Sequence, residues 1–165
     1  MENYLPGIVI GLAVIALVIR NQLRPAAVTP RRTYLVPLIL LAYGIGMVIT
    51  QDHGRFLDPA HETLSAVLLA AELVAGVLLG LMRAATVTVW RDAGGAAWRR
   101  GNGWTVAAWA ASILVRVAFL AGAAYLGVHS GTGLFMVFFA VTLLAQNLVI
   151  DRRGRTVPIT ATVQA

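Results

Sequence analysis

Residues 63–82 read TLSAVLLAAELVAGVLLGLM, set between Glu62 and Arg83, and this stretch decides which solvent the chain folds in. At 1.5 Å per residue a helix over it is about 30 Å long, the thickness of the hydrocarbon layer of a bilayer. Its only polar residues are Thr63, Ser65 and Glu72, too few to give a helix of this length a water-facing side. The stretch is therefore read as a membrane span.

Working outward, similar apolar runs occupy 34–50, 104–128 and 134–150, and a shorter one covers Leu5 to Ile19. The first run has Glu2 before it and Arg20 and Arg24 after it, the reverse of the charge order of a secretory signal peptide, so it is read as a retained span. The expected fold is an all-α integral membrane protein. Residues 1–150 form one transmembrane domain with five spans at about 5–19, 34–50, 63–82, 104–128 and 134–150. Residues 151–165 form a short, basic, disordered tail.

Composition agrees with that solvent. The 165 residues are 59% hydrophobic and 12% charged, with a mean hydropathy of +0.79, where a soluble domain has about a quarter of its residues charged. There is no cysteine, which excludes disulfides, thiolate metal sites and a dithiol relay within the chain. All 13 basic residues are arginine, which, with the abundant Ala, Gly and Val, points to a high-GC bacterial coding sequence. The net charge of +6 is explained by arginines bordering the spans, where anionic headgroups are the expected partners. No basic face with interleaved aromatics suggests nucleic acid.

The placement of those arginines gives an orientation. They crowd the connections at 20–33 and 83–103 and the stretch after Ile150, whereas the connection at 51–62 carries Asp52, Asp58 and Glu62 against Arg55 alone. By the positive-inside rule the N-terminus lies outside a bacterial cytoplasmic membrane and the C-terminus in the cytoplasm. In the connection after Arg83, Thr86–Trp90 alternates polar and apolar residues, Arg91–Gly95 supplies turn chemistry and Ala96–Arg99 returns, so a small β-hairpin is expected there.

Several of these residues together resemble a family. Gly80-Leu81-Met82-Arg83, Thr86-Val87-Thr88-Val89-Trp90-Arg91-Asp92, Gly94-Gly95, Trp98-Arg99-Arg100-Gly101, Trp109 and Arg116, with the basic loop from Arg20 to Arg32 before a Pro-containing span, are similar to small bacterial membrane proteins called CcdC homologues, their actinobacterial members above all. The resemblance implies a multi-pass membrane protein whose founding member neighbours cytochrome c biogenesis genes. It implies no catalytic or ligand residues.

Glu72 and Arg116 are the ionisable residues inside the expected spans, and each costs at least about 2.5–3.5 kcal/mol at the bilayer centre unless compensated. Counted from the flanks Arg83 and Trp104 they lie at about the same depth, and Glu72-Gly76-Gly80 and Ala108-Ser112-Arg116 each recur at four-residue spacing. Small stripes let backbones approach, so the third and fourth spans are expected to meet along them and pair Glu72 with Arg116. The pair reads either as a lock on helix register or as a proton relay, with Tyr43 as a third candidate member. Gln146 and Asn147 are expected to hydrogen-bond near the cytoplasmic end of the last span. Gly7 and Gly11 form a GxxxG contact face, and Trp90, Trp98 and Trp104 an interfacial belt.

His53, His61 and His129 fall on the expected outer side, but their spacing matches no zinc motif, so they read first as solvated loop residues and only second as a metal or haem site. No nucleophile–base constellation and no phosphate-cradling glycine loop is present. The functional expectation is a small non-enzymatic accessory or assembly factor, without a cofactor, that contacts anionic headgroups and a second copy or another membrane protein. The alternatives are a small proton-coupled transporter using Glu72 and Arg116, and a metal- or haem-binding protein at the outer face.

Overall fold

The computed structural model describes residues 23–51, 56–128 and 132–159. In chain order it holds β1 (Ala26–Ala27), α1 (Pro30–Gln51), α2 (Glu62–Thr86), β2 (Thr88–Arg91), β3 (Ala97–Arg100), α3 (Gly103–Tyr125) and α4 (Thr132–Thr156). All four helices are long and apolar enough to cross a membrane. They contain the runs expected at 34–50, 63–82 and 134–150, and α3 ends three residues before the fourth expected run does. The run at Leu5–Ile19, with Gly7 and Gly11, lies outside the described residues.

The helices turn their aliphatic side chains outward and many of their polar ones inward. Leu38, Ile39, Val67, Leu78 and Leu114 are exposed, while Ser65, Glu72, Arg83, Ser112, Arg116, Thr142 and Gln146 are buried. That distribution suits hydrocarbon as solvent, since an outward leucine costs nothing there and an outward arginine costs several kcal/mol.

α4 is the central helix, with α1 packed on one side of it and α2 on another; α3 packs on α2. Glycine sets two of these contacts. A Cβ at Gly80 would lie 2.4 Å from the Thr142 carbonyl oxygen and 2.9 Å from the Ala145 Cβ, so α2 and α4 touch through backbone. At the opposite end of α4 a Cβ on Gly133 would meet the Gly44 carbonyl oxygen at 2.7 Å and the Val48 nitrogen at 2.8 Å. The glycine stripe of α2 therefore serves α4, not the helix carrying Ala108 and Ser112 as expected. The glycines let a backbone come close, whereas the long Glu72 side chain reaches sideways to α3.

Three helix ends are held by identifiable contacts. Asn102 caps α3 by accepting from the Thr105 N–H at 3.1 Å while Thr105 Oγ1 accepts from the Asn102 N–H at 3.1 Å. Gly127, at φ +71°, closes the same helix, with the Val128 N–H bonded to Ala123 O and the Gly127 N–H to Ala124 O. The C-terminal carbonyls of α2 receive a side chain from another helix: Arg153 Nη1 donates to Ala84 O at 2.8 Å and to Val87 O at 3.1 Å.

The hairpin is present and larger than expected. β2 and β3 pair antiparallel with Val89 opposite Arg99 and Trp90 opposite Trp98, and β1, drawn from the basic connection before α1, adds to the other edge of β3. The turn centres one residue later than the expected Arg91–Gly95. Asp92 ties it, accepting from the Ala96 N–H at 2.8 Å and the Trp98 indole N–H at 2.9 Å, with Gly95 at φ +79°. The indole bond, then the backbone bond, holds the Asp92 carboxyl below its usual range. A two-residue strand such as β1 has too little pattern to be read from sequence.

α4 runs beyond Ile150, where its span was expected to give way to a tail. Asp151 is buried and accepts from Tyr34 Oη at 3.0 Å and Arg155 Nη2 at 2.7 Å, and Gly154 packs on Ala97 of β3. Those contacts carry the helix on to Thr156, and Ile159 then bridges to Arg91.

The close approach at Gly80 gives a paired expectation. Gly80→Ala forces α2 and α4 apart and lowers stability by about 1–3 kcal/mol. Gly46→Ala, whose Cβ would meet nothing within 4 Å among the described residues, stabilises by up to about 1 kcal/mol. Thermal unfolding of both variants in mild detergent checks the opposite signs.

Candidate functional site

Glu72 lies about 15 Å along α2 from its start, and Arg116 about 20 Å along α3, so the two antiparallel helices bring them level. Their side chains are in contact as an ion pair between Arg116 Nη1 and Glu72 Oε1, both nearly fully buried. α4 completes the surroundings. The Arg116 guanidinium carbon lies 5.2 Å from the ring centre of Phe135 and 5.4 Å from that of Phe138, a distance at which ring faces attract a cation. Nε and Nη2 of Arg116 have no hydrogen-bond partner among the described residues.

Ser112, one turn before Arg116, takes no part in the pair, because its hydroxyl donates to its own helix at Ala108 O, 2.8 Å. Thr142 of α4 donates to the Gly76 carbonyl and so ties α2 to α4 one turn below Glu72. On the side away from the sheet, a small cavity of about 20 Å³ lined by Ser65, Leu69, Glu72, Phe119 and Ala123 reaches the carboxylate. That is space for about one water molecule.

A second buried cation sits nearer the sheet. Arg83, read from sequence as a flanking residue, is 0% exposed, and its guanidinium carbon lies 4.0 Å from the centre of the Trp109 ring of α3. Among the described residues none of its three nitrogens has a hydrogen-bond partner, and neither do Trp109 Nε1 or the two amide atoms of fully buried Gln146 on α4. The signal was in the sequence: Arg83 follows Glu72, Gly76 and Gly80 on one helical stripe, and Trp109 precedes Arg116 by two turns. Arg83 counted as a flank only because it closes an apolar run.

The other expected site residues are dispersed. Tyr43 is 59% exposed on the outward side of α1 and does not join the pair. His61 precedes α2, with Nδ1 3.9 Å from an oxygen of Asp58. His53 and His129 lie outside the described residues, and among the described residues no group of three metal-ligating side chains converges. Asn147 donates to the Thr33 carbonyl at 2.7 Å, joining α4 to α1, and accepts from Arg99 at 3.4 Å. Trp98 is engaged by Asp92, while Trp104 is exposed.

With this geometry in hand, comparison with protein families, with curated proteins and with solved structures finds no match.

The Arg83–Trp109 stack is testable by a double-mutant cycle. Trp109→Leu is expected to cost about 1–2 kcal/mol more with Arg83 in place than in an Arg83→Met background, because in the former the cation loses its ring. Detergent unfolding of the four proteins checks this; strictly additive effects would mean that the ring does not hold the cation.

Proposed function

We propose that the chain is a small non-enzymatic accessory or assembly protein of a bacterial cytoplasmic membrane. It has five spans, an external N-terminus and a cytoplasmic C-terminus, and its Glu72–Arg116 pair fixes the register of α2 against α3. The observation that carries this reading is that the carboxylate in mid-helix is engaged by a guanidinium which two aromatic rings flank in turn. A group so held is suited to fixing a packing arrangement. The resemblance to CcdC homologues is in keeping with an accessory role. It extends no further than that.

Two further observations support the topology. The sheet end gathers Arg24, Arg91, Arg99, Arg100, Arg152, Arg153 and Arg155, while Asp58 and Glu62 lie at the start of α2, at the other end of the bundle. The apolar run from Leu5 to Ile19 supplies a further span, and an odd number of spans puts the termini on opposite sides. The absence of cysteine makes this direct to test. A single cysteine at Gly94, on the exposed hairpin turn, should react with a membrane-impermeant maleimide only in inside-out vesicles. One at Ala60, exposed before α2, should react only in right-side-out vesicles. The reverse pattern would invert the topology.

The role of the pair is separable by substitution. Glu72→Ala or Arg116→Ala alone leaves a buried charge without its partner and is expected to cost about 3–5 kcal/mol. Joint replacement by Leu and Met, which removes both charges, should recover most of that. The competing reading, a proton-coupled transporter, is favoured by the one-water cavity that reaches Glu72 from the Ser65 side. It requires that Glu72→Gln abolish proton flux in reconstituted vesicles while the protein stays folded. Retained or absent flux in both proteins would dismiss it.

A further inference from the structure

At the sheet end, away from the mid-helix pair, lies a cavity of about 390 Å³ bordered by Arg24, Val28, Thr33, Arg99, Asn147 and Ile150 among others. Its volume falls within the range of small-molecule sites. Two arginines, Arg24 and Arg99, line it, and among the described residues no Asp or Glu does. The acids of this end are engaged elsewhere: Asp151 accepts from Tyr34 and Arg155, and Asp92 from Trp98 and its own turn. The side chain of Arg99, on the central strand of the sheet, has a single hydrogen bond among the described residues, the long one at 3.4 Å to Asn147 Oδ1. Burial holds its guanidinium below the usual range, as expected for a cation without a counter-ion.

We infer that this cavity binds a phosphate ester, an oxyanion carried on an apolar stem, between Arg24 and Arg99. Arginine presents paired N–H donors in the fork that phosphate oxygens fit. The apolar part of the wall, Val28 and Ile150, suits the carbon stem. The first turn of α1 borders the cavity through Thr33, so the positive end of that helix adds to the field. Because the cavity sits where the four apolar helices end, the ester can come from a phospholipid headgroup or from a soluble phosphate ester reaching the same surface.

Two arms distinguish the sources. The full chain is reconstituted in nanodiscs of phosphatidylcholine, with or without phosphatidylglycerol, and retained lipid is counted by native mass spectrometry. In neutral detergent, thermal stability is followed against inorganic phosphate, with chloride at equal ionic strength as control. The expected result is one phosphatidylglycerol retained per chain, falling about tenfold in Arg24→Gln and in Arg99→Gln, with Arg99→Lys between them and wild type. Arg152→Gln, an exposed arginine at the same end, should leave retention unchanged. Stabilisation by phosphate that needs Arg24 and Arg99, without lipid retention, would identify the soluble source. Should Arg99→Gln fail to fold, Arg24→Gln on its exposed segment carries the test. Equal retention and equal phosphate response in wild type and Arg24→Gln, or an equal loss in Arg152→Gln, would overturn the site.

Discussion

A carboxylate and a guanidinium buried halfway along adjacent helices have no water to share, and the packing of this protein depends on their having each other. Two such charges placed separately in hydrocarbon cost about 5–7 kcal/mol on insertion scales, a large fraction of the stability of a small domain. Contact between Glu72 and Arg116 removes much of that cost, but only if α2 and α3 meet in one register and α4 closes over them with Phe135 and Phe138. Arg83 is compensated differently. Stacking on Trp109, desolvated as Arg83 is, is worth about 2 kcal/mol or more, and Arg83 also lies within one turn of the end of α2, near the polar boundary.

The sheet end follows from the same constraint. Helices that end at the polar boundary leave free carbonyl and N–H groups, and those packed away from water must find a partner there. Arg153 reaches from α4 to the last carbonyls of α2 and Asn102 caps α3, while Asn147 donates to the Thr33 carbonyl of α1, which Pro37, having no N–H, leaves free. The three short strands satisfy one another and bring Arg99 over the cavity. An arginine that caps a helix and an arginine that borders a cavity are both consistent with the basic composition of these connections. Their neighbours give them different work.

Much of this was legible beforehand, and the limits have physical reasons. Long apolar runs define the four described helices, because hydrocarbon imposes one length and one composition on every span. Depth counting placed Glu72 beside Arg116, since depth is a one-dimensional quantity that a sequence carries. Which helix a small stripe faces is not, and Gly76 and Gly80 were assigned to the wrong neighbour. Arg83 was taken for a flank because its sequence position was weighed above its helical face. The Asp151–Thr156 extension was hidden because its stabilising contacts, to Tyr34 and Ala97, are distant in sequence. β1 was hidden because two alanines have no pattern to show.

The most direct test of the account is a distance. Solid-state NMR of the protein in lipid bilayers, with ¹³C at the Glu carboxyl carbons and ¹⁵N at the Arg guanidinium nitrogens, reads the Glu72–Arg116 contact through dipolar dephasing, with Glu72 assigned by difference against Glu72→Gln. The account predicts strong dephasing of an ionised Glu72 carboxyl, as for a pair within about 4 Å, and its loss in Arg116→Met. A Glu72 carboxyl that is protonated, or that shows no dephasing from arginine nitrogen, would contradict it.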